Sequence, residues 1–565
     1  MVRGVVTLGI NDGHNAGAAL VRDGCVEAAV QEERLRNEKN FSGVPESSIK
    51  KVFEISAVHP TDVDVVSIVS LNRTYAPLRE NPFRVRLFEL ISPLVHSHTF
   101  ARLYVKFLHR FRKMRELKRV LEDLGLAQKE VMFVEHHRAH AACAFYQRPW
   151  KDDTLVLTLD GAGDGLSSTV NTGSRFDMER VASSTYYDSL GNCLYSEVTA
   201  YLGLKRWEHE YKVMGMAPYG RAEYCIDEMR RIIRINPDKP LEFQNTSGKC
   251  NTRIQKKLQK LLAGHRFDNI AAACQQHYED LVTQWVQNAM EETGLHKVAC
   301  AGGNFLNVKA NKVLREMDEV DDIFFYPAAD DGGTPVGAAL EAYYKFCDRE
   351  GLKPSRRPLE HLYYGMDYDD EYIERVLRER GWRGKAEYVD GIDEEIGVMV
   401  ARGKIIARFN GRVEWGPRAL GNRSILADPR SLRVIRRLNF AIKHRDFWMP
   451  FAPSILENRI QDYLINSKPS YYMIEAFDTT DRGEEIIAAL HPYDRTARPQ
   501  TVNDWNPGYK RALQAFQEET GVGGLLNTSF NLHGYPIVGS PELALWTFEN
   551  SDLDGVALGN YLIVR

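Results

Sequence analysis

The sequence predicts an α/β protein in two units, the first built on a duplicated half. Three observations predict it. Two strand–Asp–Gly–strand hairpins, at residues 5–21 and 154–170, stand about 148 residues apart. Two runs of strand, Gly-rich turn and helix follow, KVACAGGNFLNVKAN and FFYPAADDGGTPVGAALEAYYKF. The polar, proline-bearing stretch GLKPSRRPLEHLYYG then changes the composition, and the last 218 residues contain no cysteine. The expected division is 1–350, a linker at 351–365, and 366–565.

Composition sets the outer bounds. At roughly 150 residues per domain, 565 residues make three to four units, or two large ones with insertions. The apolar fraction of 44% with 27% charged residues is ordinary globular usage and excludes wholesale disorder. A net charge of −4 confines any affinity for polyanions to a local patch, which weighs against a dedicated DNA-binding protein. The eight cysteines include no CxxC pair, a reduced, intracellular pattern. No window reaches about 18 consecutive apolar residues, so the reading is a cytoplasmic protein with no stable membrane insertion and no nucleic-acid partner.

Taken in order, the first hairpin bends around Asp12, Gly13 and His14, and the second carries Asp160 and Asp164 at its turn. Duplicated α/β halves that clamp a nucleotide between such hairpins form the actin-like (ASKHA, duplicated ribonuclease-H-like) ATPase group, which this half resembles. Between the hairpins, residues 103–121 place Leu103, Phe107, Phe111, Met114, Leu117 and Leu121 at helical spacing among basic residues. The plain reading is a solvated face over a core stripe. EHHRAHAACAF sets His136 and His140 four apart, on one face of a helix, with His137 pointing elsewhere. With Asp160 and the Asp330–Asp331 pair they make a mixed N/O donor set that suits Fe(II), Mn(II) or Zn(II). Gly302–Gly303 and Gly332–Gly333 open helices after strands, where backbone N–H groups can face a phosphate; plain tight turns explain them equally well.

The C-terminal unit is richest in cations. Residues 412–445 hold Arg412, Arg418, Arg423, Arg430, Arg433, Arg436, Arg437, Lys443 and Arg445 among glycines and prolines. Guanidinium forks fixed in such a loop fit a small phosphorylated ligand. Arg495 and Arg498 follow in DRTARPQTV, and LLNTSFN ends a buried strand in Asn527, Thr528, Ser529 and Asn531, groups suited to a planar amide or a phosphate.

The run EHHRAHAA, KVMGMAPYG, AGGNFLN, ADDGG, GPRALGNRSILADPR, MPFAPS, TARPQTV and NTSFN closely resembles the O-carbamoyltransferase family of nodulation-factor and antibiotic biosynthesis, from residue 4 to the end. The resemblance implies an actin-like domain followed by a YrdC-like domain. It also implies that carbamoyl phosphate and ATP, with Mg(2+), give carbamoyl-adenylate in the second domain. The first domain then passes the carbamoyl group to the hydroxyl of a small-molecule natural product or sugar. Carried over, the metal ligands fall on His136, His140, Asp160 and Asp330, holding Fe(2+) or another divalent ion. The reactive histidine falls on His14, a phosphate-contacting lysine on Lys39, and nucleotide contacts on Asp12, Gly302, Gly303, Asn307, Asn311 and Gly332. Carbamoyl-phosphate or adenylate contacts fall on Arg418, Lys443, Arg445, Arg498, Asn527 and Ser529.

Three departures stand out. Many members read FRPFAP where this chain reads FWMPFAP, so Met449 replaces an arginine. HDAS is replaced by His14-Asn15-Ala16-Gly17, and Gly302–Gly303 is followed by Asn304-Phe305. Two other functions remain in competition, a threonylcarbamoyl-type modification of tRNA and a non-enzymatic nucleotide-dependent binding ATPase. The acceptor alcohol is not legible, and a homodimer is the working expectation for assembly.

Overall fold

The computed structural model describes residues 4–71 and 114–565. The expected helix over 103–121 lies outside the described residues up to 113; beyond that, a helix spans Met114–Asp123, with Leu117, Val120 and Leu121 buried. The chain divides into two units. The first comprises residues 1–32 and 40–359, the second 33–39 and 360–565. The boundary falls within the expected linker, but residues 33–39 belong to the second unit, a long-range exchange that no local pattern announces.

The first unit is the same topology built twice. One sheet holds β1 (Val6–Asn11), β2 (Gly17–Arg22), β3 (Cys25–Gln31), β4 (Val65–Val69) and β5 (Glu130–Val134), in the order β3-β2-β1-β4-β5. The other holds β6 (Thr154–Gly163), β7 (Leu166–Ser174) and β8 (Asp177–Thr185). After a separate hairpin of β9 (Ile233–Asn236) and β10 (Lys239–Asn245), it is completed by β11 (Lys297–Ala301) and β12 (Asp322–Phe325), in the order β12-β11-β6-β7-β8. In both, an antiparallel hairpin strand begins the sheet and two parallel strands extend it on the other side.

Two helices make one core of these halves. His136–Gln147 follows β5 yet packs on β6, β7 and β11, and Thr334–Arg349 follows β12 yet packs on β1, β2 and β4. They also pack on each other. Glycine permits the approach: a Cβ at Gly337 would lie 1.9 Å from the Ala139 carbonyl oxygen, and one at Gly9 would lie 1.9 Å from that of Pro335. Each half therefore delivers its last helix to the partner sheet, and both helices begin at the same place.

The second unit is an eight-stranded mixed sheet. Its strands are β13 (Glu387–Tyr388), β14 (Ile406–Phe409), β15 (Arg423–Ala427), β16 (Ala452–Leu456), β17 (Gln500–Val502), β18 (Gly524–Ser529), β19 (Gly555–Leu558) and β20 (Tyr561–Val564), in the order β13-β20-β19-β14-β15-β18-β16-β17. Both faces are covered. Ala407, Ile425, Leu526 and Val556 join one apolar cluster, while their neighbours Ile406, Leu426, Leu525 and Ala557 join the other, as the period of two in a strand requires. No helix among the described residues is long and apolar enough to cross a membrane.

Candidate active site

The histidine site is made where the two central helices start. Glu135 caps the first of them, its carboxylate accepting from the backbone N–H groups of His137 and Arg138. This fixes the first turn and places His136 and His140 one above the other, their Nε2 atoms 3.1 Å apart. His137 points away, its Nδ1 2.8 Å from Thr158 Oγ1, as the spacing predicted. Asp160 arrives from a bulge: the β6–β7 register breaks between Leu159 and Gly163, which turns the strand and re-aims its side chain. Gly303 N–H holds one Asp160 oxygen at 2.9 Å, and the other lies 3.4 Å from His136 Nε2.

The second carboxylate is Asp331. Its Oδ1 is 3.5 Å from both His136 Nε2 and His140 Nε2. The neighbouring Asp330, expected as the ligand, is instead the cap of the turn Asp331–Gly333. It accepts from Gly332 N–H at 3.1 Å and from the Asn15 amide at 3.2 Å. A capping side chain folds back on its own turn, so the next residue faces the cavity. That signal was present in DDGGT and could have chosen between the pair.

His136, His140, Asp160 and Asp331 bring four donor atoms within 4.8 Å of one another. Ligands about 2.0–2.2 Å from a common ion are spaced about 3.0–3.5 Å apart, which the separations of 3.1, 3.4, 3.5 and 3.5 Å match. Charge fits as well. Burial works against the His136 imidazolium, but Asp331, Asp160 and Asp164 outweigh it and lift the group to about 10. Burial also opposes the Asp160 carboxylate, yet the His136 hydrogen bond and the imidazole charges hold it below the usual range. The cluster demands a positive charge, supplied by a proton or by a divalent ion. Burial and the neighbouring imidazoles push His137 down to about 3, which leaves it a neutral support.

His14 stands at the edge of this cluster, its Nδ1 3.8 Å from Asp331 Oδ2. Its turn is held by Asn11, which accepts from Gly13 N–H and donates to the carbonyls of His14 and Asp331; Asp12 lies at the tip. Asp164, not expected to serve the site, accepts from His136 N–H, Ser70 Oγ and Leu71 N–H, tying three segments together.

The residues expected to contact a nucleotide in this unit also have partners within the chain. Gly302 takes a φ of 104° and backs onto Leu159, and Gly303 serves Asp160. Asn307 caps the helix Val308–Arg315 and exchanges amide hydrogen bonds with Gln275. Asn311 is fully buried and donates to the Phe305 carbonyl. Gly332 packs against Gln31. Helix capping and the Gln275 and Phe305 contacts thus hold the Asn307 and Asn311 amides in place.

A second cluster lies in the C-terminal unit. Glu414 Oε1 accepts from the N–H groups of Leu420, Asn422 and Arg423, winding the loop that presents Arg418. Gly421, at φ 112°, has Tyr509 at the place of a Cβ. Lys443 is buried and donates to Ser529 Oγ at 3.2 Å, to Asn531 Oδ1 at 2.9 Å, and to both of their backbone carbonyls. Burial, then Arg445 and Lys39, press it well below the usual lysine range. Burial, then Arg418 and Arg445, do the same to Arg498. Lys39 thus belongs with Lys443 to the second unit.

Most other arginines of the segment are not part of this cluster. Arg412 and Arg423 donate to backbone carbonyls, and Arg430 and Arg437 pair with Asp428 and Asp554. Arg445, which donates to Thr528 Oγ1 and the Pro450 carbonyl, shares its loop with the half-buried Met449. Asn527 donates to Ala419 O, Ser454 Oγ and Gln500 Oε1, which leaves its own Oδ1 buried and unpartnered.

Comparison with known proteins decides the family. The carbamoyltransferase N-terminus model matches residues 6–340, and the carbamoyltransferase C-terminus model matches 398–565. The chain belongs to the carbamoyltransferase family. This carbamoyltransferase is 33% identical to nodulation protein NolNO of Sinorhizobium fredii over 98% of its length and 79% of the relative. It is 33% identical to nodulation protein NolO of Bradyrhizobium diazoefficiens over 76% and 78%. Among solved structures, HypF of T. kodakarensis aligns at a TM-score of 0.35 and 12% identity, over 62% of this chain and 48% of that one, too distant to carry an argument.

Proposed function

We propose that this carbamoyltransferase is an ATP-dependent O-carbamoyltransferase acting on the hydroxyl of a small-molecule natural product or sugar. The observation that carries the reading is the cation cluster of the second, YrdC-like unit. Burial first, and then neighbouring cations, press Lys443 and Arg498 down, an arrangement that favours a polyanion such as ATP with Mg(2+) and carbamoyl phosphate. The unpartnered Asn527 Oδ1 is the acceptor that a carbamoyl –NH2 would use. The steps balance as follows. Water releases carbamate and phosphate from carbamoyl phosphate, carbamate displaces pyrophosphate from ATP, and the acceptor oxygen attacks the resulting carbamoyl-adenylate and expels AMP.

Transfer belongs to the actin-like unit. His136, His140, Asp160 and Asp331 would hold Fe(2+) or another divalent ion, which when bound supplies positive charge to polarise an oxygen. His14, beside that cluster and partly exposed, takes the proton of the attacking hydroxyl.

The test separates the steps. Without acceptor, the purified chain should release pyrophosphate from ATP only when carbamoyl phosphate is present. Arg418→Ala should stop that release, whereas His14→Asn should keep it and lose transfer to the alcohol. Equal loss of both steps in both variants refutes the two-site reading.

A further inference from the structure

Away from both clusters, Cys225, Glu228 and His265 bring a sulfur, a carboxylate oxygen and an imidazole nitrogen within 4.8 Å of one another. Cys225 stands between the turn Ala222–Tyr224 and the helix Ile226–Arg230, so Glu228, three residues on, shares its face. His265 comes from the loop between the helices Gln255–Leu261 and Phe267–Thr293. Cys225 is fully buried, while the side chains of His265 and Glu228 are 25% and 23% exposed. The cluster is therefore closed at its sulfur and open at its imidazole and carboxylate.

The contacts do not explain themselves as ordinary packing. His265 Nε2 is 3.9 Å from Glu228 Oε1, too long for a hydrogen bond. Two ligands of one tetrahedral ion, at bonds of about 2.0–2.3 Å, stand about 3.3–3.7 Å apart, a gap that small rotations of the two exposed side chains close. A second thiol, Cys274 on the long helix, is fully buried.

We propose that Cys225, Glu228 and His265 form a second divalent-metal site, with zinc as the ion it fits and water in the remaining position. The donor set decides the ion. One thiolate with one imidazole and one carboxylate is softer than the two-imidazole, two-carboxylate set at His136. As the sulfur–zinc bond forms, the thiol proton leaves to solvent; nothing is oxidised or reduced. The ion clips the segment 222–230 to the start of the long helix, which already packs on it. That helix also carries Gln275, the partner of Asn307 behind the Gly302–Gly303 turn, so the clip steadies one wall of the transfer unit.

The experiment uses the full chain, stripped with chelator and titrated with Co(II) alone and then with Zn(II). Co(II) should give a sulfur-to-cobalt charge-transfer band that Zn(II) bleaches. His140→Ala should keep this band and Cys225→Ser should lose it. His265→Gln, at a partly exposed position, should weaken zinc binding at least tenfold with an unchanged far-ultraviolet circular dichroism spectrum. Absence of the band in the unaltered chain, its persistence in Cys225→Ser, or unchanged zinc affinity in a folded His265→Gln would overturn the proposal.

Discussion

Asp330 and Asp331 are neighbours in the chain with separate duties, because one carboxylate closes a turn on the Gly332 N–H and the other faces His136 and His140. Substitution separates them. Asp331→Asn should lower divalent-metal affinity by about tenfold to a hundredfold or more, the scale on which such sites respond even to outer-shell changes. Asp330→Asn should leave the metal in place, since Asn caps a helix about as well as Asp. Metal content after dialysis against a fixed chelator reads both, and equal loss in the two variants would return the ligand role to Asp330. At the same scale, His136, His140 and Asp160 were legible from residue type and spacing, whereas Asp164 was not. Its role depends on three segments meeting, and a lone Asp-Gly turn announces only itself.

At the scale of elements, the site depends on a bulge and on glycines that keep side chains out. Gly163 closes the irregular stretch of β6, and a Cβ there would lie 2.0 Å from the His136 ring. Gly163→Ala must therefore rotate the imidazole or shift the strand, an overpacking that costs about 1–3 kcal/mol. The expected outcome is a chain with unchanged far-ultraviolet circular dichroism, a lower unfolding midpoint in urea and lost metal affinity. Full metal binding in that variant would show that the bulge does not set the ring. The hairpins and the helical histidine spacing were read from sequence because they are local. The exchange of the helices His136–Gln147 and Thr334–Arg349 between sheets was not, since each helix follows a strand of the sheet it leaves.

For the molecule as a whole, two charge clusters of opposite demand are kept in separate units. The carboxylates near His136 call for a cation, and Lys39, Arg418, Lys443, Arg445 and Arg498 call for an anion. Lys443 is depressed in the folded state, chiefly by burial and then by Arg445 and Lys39, so the unfolded chain holds its proton more firmly. The resulting destabilisation is greatest below the folded pKa and fades as pH rises toward the unfolded value of about 10.4. ATP at about a hundred times its Kd should stabilise the C-terminal unit by about 2.7 kcal/mol near neutral pH. That increment should shrink as pH rises through the depressed Lys443 pKa and the ammonium loses its charge. Calorimetry with and without ATP at several pH values measures it, and a stabilisation that is absent or grows with pH would contradict the anion site.

The α/β class, the repeated hairpins and the residue types of both clusters are legible along the chain, because strand alternation, Asp–Gly turns and i, i+4 spacing are local consequences of backbone geometry, and the family is legible in its motifs. Which residues converge was set by the fold. Asp331 faces His136 and His140 while Asp330 caps its own turn, and Lys39 falls in the second unit. The fold also divided the arginines of 412–445 into those that donate to backbone carbonyls, those paired with acids and those held among other cations. A side chain's chemistry is written in its type, but its partners are set by the folded chain: Asp330 is claimed by its own turn, whereas Asp331 meets His136 and His140 from a distant part of the sequence.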